Sequence, residues 1–192
     1  MAQSVYEELN KLSNGEFKDI IKESPLRKYL EVNFETQIEL FQEKKNNNVF
    51  KVKTNTGEDK EVFIKYITLV DFLKFLIGKY KNEDLNTLPC EGEKECKSKY
   101  EKYINEPNNY AYVDSLFYYA SSVFSKEHNF PHGIHCYDQF ICKKKNCKIN
   151  IADDLEYLCD SNFFNENINK LYSFEDTNIS DLFMKTQKDK LT

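Results

Sequence analysis

A chain of 192 residues suits one domain, or one domain with a small subdomain, and is long enough to bury a substantial core. Its 40% hydrophobic and 15% aromatic content excludes a disordered tail, while only 5 Gly and 4 Pro argue against a loop-rich β-sandwich and for long helices. A net charge of −5 argues against nucleic acid as a partner, since a binding domain for it normally presents a basic face.

In chain order, "SVYEELNKL" forms a short opening helix. "SPLRKYLEVNFETQIELFQEKK" is the clearest helical signal: Ser24 caps it, Pro25 takes the first helical position, and Leu26, Tyr29, Leu30, Phe34, Ile38 and Phe41 recur at helical spacing. The run Asn46–Asn48 ends it. "VFKVKTNTGEDKEVFIKY" alternates apolar and polar residues around a Thr-Gly turn, as a small β-hairpin near 49–64 or an excursion between helices. "YITLVDFLKFLIGKY" is the most apolar segment and reads as a buried central helix. It is too short to be a membrane span, and no stretch approaches the roughly 20 apolar residues a span requires.

A loop is expected at Asn82–Pro89, then a helix carrying Cys96. "NNYAYVDSLFYYASSVFSKE" is an amphipathic helix with Val113, Leu116, Phe117, Ala120 and Phe124 on its apolar side, broken by Pro131 and Gly133. Two last helices are expected around "IADDLEYLCDSNF" and "NENINKLYSF", with Asp153 and Asp154 in a first turn where acidic groups favour the dipole. The expectation is therefore a mainly α fold, a disulfide-stapled helical bundle with one possible hairpin. It would occupy residues 1–175 as a single domain, followed by a polar, frayed tail at 176–192.

The stretch "EHNFPHGIHCYDQFICKKKNCK" at 127–148 holds all 3 His and three of the 6 Cys. The cysteines, Cys90, Cys96, Cys136, Cys142, Cys147 and Cys159, are spaced C-x5-C and C-x5-C-x4-C-x11-C, without a C-x2-C knuckle. An even count favours three disulfides, each worth about 2–4 kcal/mol, with the pairing open among about 15 possibilities; buried free thiols and a metal site are the other readings. His128, His132 and His135 could join Cys136 as zinc ligands, but Pro131 distorts the presentation, and histidines in a polar loop facing water are the plainer reading. His135 adjoins Cys136, which is poor geometry for a thiolate and its base. No G-x-S-x-G, Walker A or G-x-G-x-x-G motif occurs, so no enzyme is expected and no catalytic residue, cofactor or metal ligand is assigned. "CKKKNCK" is a short basic knot that could dock on a sialylated or sulfated surface but reads more simply as a solvated loop. Asn178-Ile179-Ser180 is the one N-x-S/T sequon.

The start, "MAQSVYEELNKLSNGEF", lacks the basic and apolar regions of a secretory signal, which taken alone reads as cytosolic, whereas an even cysteine set reads as an oxidising compartment. That start, the Lys/Asn/Tyr-rich segments, "CKSKYEKYINEPNNYAYVDSLFYYASSVFS" and "HCYDQFICKKKNC" together resemble the malaria-parasite interspersed-repeat (PIR/Vir-type) variant surface proteins. This chain departs from that family in having no Trp and no cysteine before Cys90. The resemblance implies an exported or surface-displayed, disulfide-bonded ectodomain without a classical leader, with a membrane segment beyond Thr192. It also implies a non-enzymatic role in immune evasion or in binding a host cell-surface protein or glycan. Two other classes stand beside it: an intracellular scaffold or effector with reduced cysteines, and a zinc- or thiol-dependent catalyst.

Overall fold

The structure is a computed structural model and describes residues 2–21, 26, 31–89 and 96–175. Ser24, Pro25, Tyr29, Leu30, Cys90, the sequon and the expected tail lie outside the described residues. The chain packs as two compact units. One comprises the described parts of Met1–Leu69 and Asn105–Cys147; the other comprises Val70–Pro89, Cys96–Ile104 and the described part of Lys148–Thr192.

The first unit opens with α1 (Ala2–Leu12), whose Val5, Tyr6 and Leu9 share a buried face. Asn14 and Gly15, at φ 55° and 73°, close the helix, and the Gly15 N–H returns to the Asn10 carbonyl at 2.8 Å. Glycine adopts this left-handed turn because it has no Cβ, and asparagine tolerates it because its short polar side chain can hydrogen-bond locally. The chain continues into β1 (Phe17–Ile21), β2 (Ile38–Lys44), β3 (Val49–Thr54) and β4 (Asp59–Phe63), then α4 (Tyr110–Glu127) and β5 (Ile141–Lys144). Strands β2, β3 and β4 form an antiparallel meander, and β1 pairs with β5 in a second antiparallel sheet. The core under α1 is built from Phe17, Phe41, Phe50, Val52 and Val62.

This architecture overturns the mainly α, disulfide-stapled bundle. The fold is mixed α/β, and among the described residues only α1 and α4 are helices longer than six residues. The decisive segment is 38–44, which the helical spacing of Phe34, Ile38 and Phe41 assigned to a long helix. It is a strand with two bulges, one between Ile38 and Leu40 and one between Phe41 and Glu43. Each bulge sets two residues against one. Ile38, Phe41 and Lys44 therefore all face the inward residues Thr54, Val52 and Phe50, at a spacing of three rather than two. Asn46 does not end a helix; its side chain accepts from the N–H groups of Asn48 and Val49, both at 3.0 Å, and so closes the β2–β3 turn. On β3 strict alternation buries Phe50, Val52 and Thr54. Thr54 to Phe63 completes a hairpin around Gly57, at φ 81°.

In the second unit the apolar segment expected as a central helix contributes only α2 (Phe72–Leu76). Asp71 caps it by accepting from the Lys74 N–H at 3.1 Å, and Gly78, at φ 78°, ends the turn that follows. The helix expected to carry Cys96 is α3 (Lys99–Ile104), which starts after that cysteine. Its start is a capping box in which Ser98 Oγ accepts from the Glu101 N–H while the Glu101 carboxylate accepts from the Lys97 and Ser98 N–H groups. A 3₁₀ turn over Ala152–Asp154 leads into α5 (Leu155–Cys159), and α6 (Asn162–Asn167) follows. Leu76, Leu155, Leu158, Cys159 and Phe164 form this unit's core. A methyl at Gly78 would fall 2.5 Å from the Phe163 ring, so glycine is required there twice over.

Three substitutions test these assignments by urea unfolding. Phe50→Ala removes an inward side chain and costs about 3–5 kcal/mol, whereas Phe63→Ala on the opposite face costs under about 0.5 kcal/mol. The reverse order would mean a register one residue out. Gly78→Ala destabilises by about 1–3 kcal/mol through backbone strain and the Phe163 overlap, and an unchanged midpoint would contradict that geometry.

Candidate interaction face

Helix α4 is anchored at its start by one buried side chain. Asn109 Oδ1 accepts from the Ala111 N–H at 3.0 Å, while its Nδ2 donates to the Leu69 carbonyl at 2.9 Å. From there the inward rows of the helix are tyrosine and polar residues. Ala111 and Tyr112 are buried, and Tyr112 packs with Leu26 and Val32. Tyr119 meets Phe34 edge to face at 5.5 Å and accepts from the Asn33 N–H at 3.2 Å. Asp114 pairs with Lys65 at 2.8 Å, whose ammonium also lies 4.8 Å from the Tyr118 ring centre. Lys126 pairs with Glu35 near the other end.

The stretch after α4 is tied back along the same helix. Asn129, at φ 51°, turns the chain, and the Phe130 N–H reaches the Phe124 carbonyl. The Ile134 N–H donates to Ser121 Oγ at 3.0 Å, and Gln139 Nε2 donates to the Ser115 carbonyl at 2.7 Å. Gly133 makes the return possible, because a Cβ there would stand 2.7 Å from Ser125 Cβ and 2.8 Å from the Ser121 carbonyl. Hydrogen bonds and a close glycine therefore hold 127–148, together with the β1–β5 pairing. The basic knot begins in strand β5, where Lys143 and Lys144 pair with Asp19 at 2.7 Å and Glu16 at 2.8 Å. Disulfides play no part in this anchoring among the described residues.

With its polar rows turned inward, α4 presents its apolar row to water. Val113, Leu116, Phe117 and Phe124 are 51%, 41%, 70% and 54% exposed. These are the residues whose helical spacing marks an apolar side, and that side is not a core face in this fold. Phe130 and Ile134 are also exposed, 45% and 58%, and the Ser121 and Ser125 contacts bring their loop alongside the row. Sequence reasoning found the row and assigned it the ordinary fate of an amphipathic stripe. The signal that separates the two fates is the partner surface, which spacing does not contain.

The remaining expected residues do not assemble into a reaction centre. His128, His132 and His135 are exposed, lying 5.7 Å from the Phe124 ring, 5.7 Å from the Phe130 ring and 6.5 Å from the Tyr137 ring, respectively. Among the described residues no three His, Cys, Asp or Glu side chains are placed to share a metal ion. No disulfide links the described cysteines: Cys136, Cys142 and Cys147 lie in the first unit, Cys96 and Cys159 in the second. The Cys136 thiol donates to the Asp138 carbonyl at 3.6 Å, and the Tyr6 hydroxyl donates a short hydrogen bond to the Asp138 carboxylate. Burial, with Asp138 adding to it, raises Tyr6 far above the usual phenol range. Burial likewise pushes the Cys136 and Cys142 thiols up to about 11, the wrong direction for a nucleophile. No helix among the described residues is long and apolar enough to cross a membrane. Comparison with protein-family models, with curated proteins and with solved structures finds no match.

The thiols supply a test. At pH 8 Cys136 and Cys142 react with iodoacetamide on the order of 100-fold more slowly in the folded protein than in urea, since a shift to about 11 removes most of the thiolate. Peptide mass spectrometry resolves each site, and equal rates would refute the burial. Because the folded state holds these protons more tightly, their contribution to stability is complete below the unfolded thiol range. It is lost as pH climbs towards 11.

Proposed function

We propose that this chain is a non-enzymatic interaction module that docks a folded partner on the outward row of α4. One observation carries the reading: Val113, Leu116, Phe117 and Phe124 stand open to water on an 18-residue helix whose other rows are engaged. Covering a large apolar side chain is worth about 1.5–3 kcal/mol, so such a row favours association. It offers no donors or acceptors with which to orient a small substrate. Depletion of charge and enrichment in aromatics are the marks of an interface centre.

The role proposed with it is the one the PIR/Vir resemblance implies: display at the infected-cell surface, with adhesion to the host or immune evasion. Of the two partner chemistries, the row suits a protein better than a glycan, because glycan recognition needs hydrogen-bonding groups that carbon side chains lack. A second reading, an intracellular scaffold or effector with reduced cysteines, is favoured by Cys136, Cys142 and Cys147, which are joined by no disulfide. Reduced thiols are the norm in the cytosol.

Labelled protein applied to intact host cells tests the adhesion role. Saturable binding, removed by protease treatment of the cells and weakened at least tenfold by Phe117→Glu with Phe124→Glu, is expected. Labelling no greater than that of an unrelated acidic protein would sink adhesion and leave the intracellular reading.

A further inference from the structure

We infer that the partner of the α4 row is a second copy of this chain, packed antiparallel across a two-fold axis at Ala120. The inference rests on the reading of α4 as a docking face and names its occupant. The row is self-complementary. Phe117 and Phe124 lie on one flank of Ala120 and Leu116 and Val123 on the other, three and four residues away, so across the axis Phe117 faces Phe124 and Leu116 faces Val123 with an offset of one residue, about 1.5 Å. A two-fold interface requires this reciprocity, in which residue i meets j and j meets i. Ala120, the smallest side chain of the row, sits where the two axes approach most closely, and small side chains there allow helices to pack at about 8 Å. Antiparallel packing also sets the helix dipoles in opposition.

Charge does not oppose the pairing. Between Tyr110 and Ser125 the helix carries one charged residue, Asp114, which is paired with Lys65, and the exposed Glu127 falls at the outer end of the pairing, two turns beyond Ala120. Lys126 is tied to Glu35. Area supports it as well. At about 200 Å² for a large side chain, the exposed parts of Val113, Leu116, Phe117, Phe124, Phe130 and Ile134 amount to roughly 600 Å². A standard interface takes about 800 Å² from each partner, and the intervening serines and backbone of α4 and its returning loop supply the remainder. A patch of that size is at the upper end of what a monomer leaves uncovered.

Sedimentation of the full chain between 1 and 100 μM tests the proposal. The expected species is a dimer that Phe117→Glu weakens at least 100-fold, with unchanged circular dichroism, since the substituted side chain is 70% exposed. Ala120→Cys, placed on the axis, is expected to cross-link into a covalent dimer at least tenfold faster than Phe63→Cys, an exposed control on β4. A wild-type monomer throughout this range, a dimer indifferent to Phe117→Glu, or cross-linking no faster than the control would each overturn it. The docking reading fails separately. If the wild type is monomeric but Phe117→Glu still weakens host-cell binding, the face docks another protein; if neither changes, both proposals fall.

Discussion

Hydrogen bonding at Asn109 and the packing of Tyr112 and Tyr119 together decide which side of α4 faces outward, and the candidate face depends on that choice. Asn109 is buried and divides its amide between capping the helix and holding the Leu69 carbonyl. Rotating α4 to bury Phe117 would break the Asn109–Leu69 hydrogen bond and turn the Tyr119 and Ser121 hydroxyls and the Ser115 carbonyl away from Asn33, Ile134 and Gln139. It would also withdraw Tyr112 from Leu26 and Val32 and Tyr119 from Phe34, so one apolar contact would be exchanged for another. The returning loop adds steric constraint, because Gly133 fits against Ser121 and Ser125 without room for a Cβ.

The meander that supports this unit shows a related competition within one strand. β3 follows the period of two expected of a half-buried strand, and its Phe50 and Val52 are fully buried. β2 does not, because its two bulges bring every third residue inward against Thr54, Val52 and Phe50. A bulged strand therefore carries a pattern close to that of a helix, and Ile38 and Phe41 fit either. What separates them is pairing with β3, a contact made across the Asn46–Asn48 turn and invisible to local spacing.

The cysteines illustrate how a feature of the sequence can be correctly noticed and wrongly used. Their even number suits a disulfide framework, yet in the structure Cys136 and Cys142 are partly buried thiols joined by no disulfide. Their neighbourhood is held by the Tyr6–Asp138 hydrogen bond, the Gln139–Ser115 hydrogen bond and the ion pairs of Lys143 and Lys144.

Local chemistry was readable wherever neighbours in sequence are neighbours in space. The opening helix, the Asn and Gly turns, the alternation of β3 and the apolar row of α4 all follow from backbone preference and side-chain period. The sequence alone also set the charge balance and the absence of familiar catalytic motifs. Tertiary structure decided what local preference leaves degenerate. Pairing with β3 made 38–44 a bulged strand, and the contacts of α4 with Leu69, Phe34 and the returning loop turned its hydrophobic row outward. The physical reason is common to both. Spacing records which residues share a face, but the free energy of that face depends on the surface it meets, and that surface comes from distant parts of the chain.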